Sequence, residues 1–261
     1  MQDKFRIKLR MTYHPTKIQK DLIFIYRIDK SNSGDLNCCP RDYINFNNSK
    51  CYDINNVPDT TNKIVILGGG GIFHKQSWDR AIKTIIKKSY CSVLWGAGSN
   101  YHNITNTVLP KYIDRFDMVG LRDWGTKYRW VPCVSCMNKG FDIDRKIKND
   151  VVVYEHKDHR LCIAGLPCMN NRSSMREALD FLGSAQTVIT NTYHGVYWSL
   201  LLSKKVVILR PFSSRFYGLK YNVPMFNNYN EWDGTVAHHI GVLYDSRMAN
   251  LSFYKDVSKL L

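Results

Sequence analysis

Four consecutive glycines, Gly68 to Gly71, follow the apolar, largely β-branched run Lys63-Ile-Val-Ile-Leu67 and precede Ile72-Phe-His74. The pattern predicts a strand, a loop made of backbone alone, and a helix N-terminus. Residues without Cβ can take positive φ and let a ligand approach the main chain, and the N–H groups opening a helix favour an anion. A sugar, a phosphate or both would fit such a loop, while a second reading makes the glycines only a tight strand-to-helix turn.

The same alternation recurs along the chain. Asp21 to Arg27, Lys63 to Leu67, Ser92 to Trp95 and Met118 to Leu121 read as buried strands, and Trp78 to Lys88 reads as a helix with Ala81, Ile82, Ile85 and Ile86 on one face. Gly96-Ala-Gly98 reads as a loop closing the third of these strands, and Lys30-Ser-Asn-Ser-Gly-Asp35 as a polar turn after the first. Residues 138–150 are charged and without period, which suggests a linker. Beyond it Val151 to Tyr154, Thr187 to Thr190 and Lys205 to Leu209 read as strands, Met175 to Leu182 and His194 to Leu202 as helices, and Leu251 to Leu261 as a closing helix. The expected fold is α/β, two Rossmann-like domains with parallel sheets facing a cleft: residues 1–138, a linker at 139–150, and residues 151–261. In such sheets ligands bind at the carboxyl ends of the strands.

Composition narrows the function classes. No apolar run reaches the roughly 18 residues needed to span a bilayer, and Met1 to Arg10 alternate basic residues without a signal-peptide core, so a soluble, cytoplasmic protein is expected. Eight cysteines without compact spacing belong to a reduced compartment. Cys133-Val-Ser-Cys136 lacks a partner pair for a zinc tetrad, and Asp142-Ile-Asp144 falls in the linker, so no metal is expected. Lys and Arg outnumber Asp and Glu by 37 to 22, a net +15 that attracts polyanions, including an anionic membrane surface. The basic residues are dispersed and form no groove-reading element, so nucleic acid is not the expected partner. Sequons at Asn47, Asn103, Asn171 and Asn250 carry no weight in an Asn-rich chain outside the secretory route.

A second loop repeats the first. Val188-Ile-Thr-Asn-Thr-Tyr-His-Gly195 runs from a strand through hydroxyl and amide side chains into a helix, with His194 able to donate to a phosphate or shuttle a proton. An ordinary structural histidine is the competing reading.

Taken together, Asn32-Ser-Gly-Asp35, Gly68 to Gly71, Gly96-Ala-Gly98, Arg122-Asp123 and Thr190-Asn-Thr-Tyr-His-Gly195 resemble, in order, motifs of the polysaccharide pyruvyl transferase family. The resemblance spans residues 30 to about 220. It implies a GT-B-like fold of two domains and a transferase acting on a saccharide in surface polysaccharide or glycan synthesis. The acceptor would lie on the N-terminal half, at Asn32, Gly69, Gly70, Gly71, Phe73, Arg122 and Asp123. The donor would lie on the C-terminal half, at Thr190, Thr192, Tyr193, Gly195, Arg210, Arg215 and Lys220. Asp35 would be the base and His194 the second catalytic group; no cofactor is implied.

Thr192 stands where the family has an arginine, and a guanidinium holds a phosphate or carboxylate better than a hydroxyl does. That departure favours a nucleotide-sugar donor and a metal-independent glycosyltransferase, with pyruvyl transfer from phosphoenolpyruvate as the alternative. Arg210, Arg215 and Lys220 could restore the charge for either donor. A basic module that holds glycan or nucleic acid without catalysis is the reading from another class.

Overall fold

The computed structural model describes residues 20–46, 48–74 and 76–261. The basic segment Met1 to Arg10 and the sequon at Asn47 lie outside the described residues. Two sheets carry the fold, and every strand pairing within them is parallel. The first contains β1 (Leu22–Tyr26), β2 (Lys50–Asp53), β3 (Ile64–Leu67), β4 (Gly70–Phe73), β5 (Cys91–Ser99), β6 (Met118–Leu121) and β7 (Arg129–Trp130), ordered β2-β1-β3-β5-β6-β7 with β4 also on β5. The second contains β8 (Asn149–Glu155), β9 (Cys168–Asn170), β10 (Ala185–Thr190), β11 (Lys205–Leu209) and β12 (Met225–Phe226), ordered β12-β11-β10-β8-β9.

The central strands β1 and β3 are buried along their whole length, as continuous apolar runs in a two-sided parallel sheet must be. Helix α1 is the single turn Ser33–Leu36, and α2 (Gln76–Lys88) buries Trp78, Ile82 and Ile85 against the first sheet. In the second half α3 (Met175–Gly183) opens on a capping box, Ser174 with Glu177, and α4 (Tyr193–Leu201) is buried on every side. The last helix, α5 (Val242–Val257), begins nine residues before the expected Leu251 and stops short of Leu261.

Two further expectations need correcting. The glycine run does not open a helix: Gly68 N–H bonds to Ile25 O (2.8 Å), Gly70 turns the chain at φ +90°, and Gly70–Phe73 pairs with β5 before α2 starts at Gln76. Only Gly70 of the four has positive φ. Gly96-Ala-Gly98 is no loop either; it lies inside β5, where the pairing with β6 shifts register between Trp95 and Ala97, a bulge the chain makes at Gly96 (φ +67°). Residues 139–150 are tied down. Phe141 is buried in the turn Lys139–Asp142, Arg145 bonds Gly140 O and Asp180, and Asn149 already belongs to β8.

The largest apolar cluster runs through both sheets, from Phe24 and Trp95 to Tyr154, Trp198 and Phe253. Helix α5 joins them: Phe253 meets Trp95 edge to face at 5.0 Å, and Asn250 Oδ1 accepts from Trp95 Nε1 at 2.8 Å. No helix among the described residues is long and apolar enough to cross a membrane.

Candidate functional site

The chain leaves each strand of a parallel sheet at the same end, and here the loops from both sheets meet around a cavity of about 240 Å³. The first sheet contributes Arg27 and Asp29 after β1, Asn32 and Asp35 of α1, Gly71 on β4, Asn100 and His102 after β5, and Arg122 after β6. The second contributes His156 and Lys157 after β8, Asn171 after β9, Thr192 to His194 at the start of α4, and Phe212 and Arg215 after β11. Hydrogen bonds cross between the two sets of loops. Ser33 N–H donates to Asn171 O (2.9 Å), Ser214 N–H donates to Tyr101 O (2.8 Å), and Lys157 Nζ donates to Asp29 Oδ2 (3.1 Å).

Asp35 lies in the one-turn helix that Asn32 caps. Asn32 Oδ1 accepts from Gly34 N (3.1 Å), and its Nδ2 donates to Asp35 Oδ2 (2.8 Å), so one side chain shapes the turn and aims the carboxylate. Burial raises the Asp35 pKa, opposed in part by the positive charges of Arg215 and Arg122.

His194 enters from the opposite wall. Thr192 caps α4, its Oγ1 accepting from Gly195 N at 2.8 Å, and this places His194 in the first turn. The residue is 8% exposed, with Nε2 3.4 Å from Cys133 Sγ. Gly34 packs on its other side so closely that a Cβ there would lie 2.0 Å from Nδ1. Burial, then the charges of Arg122 and Arg215, push its pKa well below the usual 6.5, so the imidazole is neutral at physiological pH.

Two arginines supply the charge. Arg122 lies over the Tyr193 ring (4.1 Å) and donates through Nη2 to Ser99 O (3.0 Å). Arg215 lies over Phe212 (4.6 Å) and Phe216 (5.3 Å). Burial and the like charge of Arg122 lower its pKa to about 10. Arg122 Nε, Arg215 Nε and Arg215 Nη2 are buried donors with no acceptor, and Asn100 Oδ1, on a residue lining the same cavity, is a buried acceptor with no donor. Buried polar atoms are nearly always hydrogen-bonded, and guanidinium edges on one polar cavity form a site for an oxyanion.

The expected site residues divide. Asn32, Asp35, Gly71, Arg122, Thr192, Tyr193, His194 and Arg215 line the cavity. Gly69, Gly70 and Phe73 belong to the jog and strand that build its floor and do not line it. Thr190 is turned into the sheet, its Oγ1 donating to Tyr154 O (2.5 Å), and Gly195 is packed against that same hydroxyl. Asp123 is 1% exposed and braces β5 by accepting from Ser99 N (2.7 Å), outside the lining. Arg210 is exposed at the end of β11, where φ is +49°. Lys220 lies over Trp130 (4.2 Å) and pairs with Asp245 (3.4 Å). Of the three cations expected to restore the missing arginine, Arg215 alone reaches the cavity.

Several lining residues escaped the sequence reading. His156 and Lys157 directly follow a strand, a position that could have flagged them. His156 Nδ1 accepts from Asp158 N (3.1 Å), which leaves the ring proton on Nε2, and burial with the Arg215 charge lowers its pKa to about 4. Phe212, which stacks on His159 at 4.2 Å, carried no signal in the sequence.

Neither Cys133 nor Cys136 is exposed, and no group of His, Cys, Asp and Glu among the described residues is arranged to hold a metal ion. No protein-family model matches the chain, and no curated protein is found similar to it. Among solved structures, it is similar to the crystal structure of an uncharacterized protein from Klebsiella pneumoniae subsp. pneumoniae NTUH-K2044, at 16% identity over 72% of this chain and 83% of that one, with a TM-score of 0.47.

Proposed function

We propose that this chain is a transferase that moves a group from a phosphate-bearing donor to a hydroxyl of a saccharide, in the two-domain, GT-B-like manner that the motif resemblance implies. One observation carries the reading: a partly buried carboxyl, Asp35, faces the same polar cavity as two guanidiniums with unpartnered edges, Arg122 and Arg215. The guanidiniums suit the charge that collects on a departing phosphate. Asp35, with its pKa raised, is suited to exchange a proton near the reacting hydroxyl. His194, neutral and held by Cys133 and Gly34, serves as a fixed imidazole beside them and not as an acid.

The donor that this geometry supports best is phosphoenolpyruvate. Its phosphate and carboxylate match two guanidiniums in a compact cavity, and Arg215 makes up for the arginine replaced by Thr192. In that chemistry Asp35 gives a proton to the methylene carbon. One acceptor hydroxyl then adds to the neighbouring carbon and returns a proton to Asp35; a second adds as the C–O bond to phosphate breaks, and its proton leaves with the phosphate. The nucleotide-sugar reading rests on Thr192 itself, since a hydroxyl-capped helix start also suits a diphosphate.

Thermal-shift measurements against phosphoenolpyruvate and against UDP-, GDP-, CMP- and dTDP-sugars test the proposal. A donor at a hundred times its dissociation constant should stabilise the fold by about 2.7 kcal/mol. Stabilisation by one nucleotide sugar with none by phosphoenolpyruvate would select the second donor. No stabilisation by any of them, with steeply salt-dependent nucleic-acid binding, would leave the non-catalytic module.

A further inference from the structure

Cys39 and Cys51 lie outside the cavity, but the first ends the loop that begins at Asp35. Cys51 is half-buried on the edge strand β2, and Cys39 is fully buried just before the turn Pro40–Asp42. Their sulfurs are 3.7 Å apart. Arg41 reaches over the pair: Nη1 lies 3.8 Å from Cys51 Sγ, and Nε is fixed by Ser49 Oγ at 3.1 Å. The contact with Cys39 and the guanidinium of Arg41 pull the Cys51 thiol below its usual range, while the same contact and burial push Cys39 up. The two thiols thus differ as an attacking and a resolving cysteine do: one accessible and thiolate-prone beside a cation, one protonated and sheltered. Exposed Cys168 has no such help, since burial and Glu155 raise its pKa to about 11.

We propose that Cys39 and Cys51 form a peroxide-oxidisable dithiol whose disulfide draws the loop behind Asp35 toward the edge of the first sheet. The Cys51 thiolate attacks one peroxide oxygen, forming S–O as O–O breaks. Hydroxide leaves and takes up a proton as water, and Cys51 becomes a sulfenic acid. Cys39 then attacks that sulfur; S–S forms, S–O breaks, and the thiol proton leaves with the oxygen as a second water. Two electrons pass from the two sulfurs to one peroxide.

A disulfide is about 2.05 Å long, so the sulfurs must close by about 1.6 Å from their 3.7 Å contact. Strand β2 is held along its length by β1, from Ile23↔Lys50 to Tyr26↔Asp53, so the displacement falls on the loop. There Cys38 O accepts from Gly69 N (3.2 Å) and Cys38 Sγ donates to Asp35 O (2.9 Å), which carries the movement to the turn that bears the carboxylate.

The proposal stands apart from the donor assignment, and its test uses no donor. The full chain is treated with hydrogen peroxide, the remaining thiols are alkylated, and the peptides are identified by mass spectrometry. The expected result is loss of alkylation at Cys39 and Cys51 together, with a peptide pair joined between them, reversed by a dithiol reductant. Cys39→Ser should stop Cys51 at the sulfenic or sulfinic stage, and Cys51→Ser should leave Cys39 alkylatable after denaturation. Amide exchange at Ser33 to Asn37 should change on oxidation of the wild type and not of Cys51→Ser. Oxidation of Cys162 or Cys168 with Cys39 and Cys51 both still alkylatable would overturn the dithiol. A 39–51 disulfide with unchanged exchange at Ser33 to Asn37 would overturn the coupling to the site.

Discussion

Gly34 shows how one missing side chain couples the two halves of the site. A methyl group there would meet His194 Nδ1 at 2.0 Å and the adjoining ring carbons Cγ and Cε1 at 2.6 and 2.7 Å, so Gly34→Ala must displace either α1 or the imidazole. Overpacking of this kind costs about 1–3 kcal/mol. The expected outcome is a lowered Tm together with lost donor binding, while the secondary structure persists by circular dichroism. Unchanged donor binding would mean that His194 and Asp35 act independently. Asp123 offers a pH test. Burial raises its pKa from 3.8 to about 6, so between those values the folded state holds a proton that the unfolded state has released. Its contribution is therefore present below about pH 4 and is lost as pH rises toward 6, a change on the order of 3 kcal/mol for a buried group. Asp123→Asn should flatten the stability profile across that window. At this scale the motifs pointed to Asp35, Arg122 and His194 because each lies in the segment that follows a strand, where spacing is readable. The roles of Asp123 and Thr190 were not readable, because whether a polar side chain turns to the cavity or braces the adjacent strand depends on neighbours distant in sequence.

Elements were more legible than their ends. Met118 to Leu121 and Lys205 to Leu209 match the strands observed; the second is a run of buried β-branched residues, which has few alternatives in a parallel sheet. Residues 68–73 misled because glycines following a strand look the same whether they open a helix or begin a second strand; the hydrogen bonds of β5 decide, and they lie some 25 residues away. Helix α5 was placed too late because the part before Leu251 carries the polar residues Ser246 and Asn250 on its buried side. Asn250 repays that burial with hydrogen bonds. It accepts from Trp95 Nε1 and donates to Pro132 O (3.2 Å) and Ser246 O (3.0 Å), joining the closing helix to the first sheet. Asn250→Ala leaves an indole N–H unpaired in the core and opens a small void, which should cost about 2–4 kcal/mol. Chemical denaturation would measure it. A loss under 0.5 kcal/mol would show that α5 is held by Phe253 and its neighbours alone.

At the scale of the molecule, one apolar core runs through both sheets while their loops hold like charges facing one another across a cavity. Arg122 depresses the pKa of Arg215, and both guanidiniums have buried edges without partners, so the charge that draws an anion also works against the fold. Arg215→Met separates the two effects. Methionine keeps most of the volume between Phe212 and Phe216. The lost cation–π contacts cost about 1–2 kcal/mol, while relief of a desolvated charge crowded by Arg122 and only partly offset by Asp35 returns somewhat more. The ligand-free protein is therefore expected to gain on the order of 1 kcal/mol, and its stabilisation by phosphoenolpyruvate to disappear. Arg215→Lys should retain part of that stabilisation, since an ammonium keeps the charge without the two-pronged geometry. Urea denaturation with and without phosphoenolpyruvate reads both quantities from the same samples. If Arg215→Met weakens the ligand-free fold and leaves the phosphoenolpyruvate effect intact, the guanidinium is a structural wedge between two aromatic rings, and the anion must be held elsewhere in the cavity.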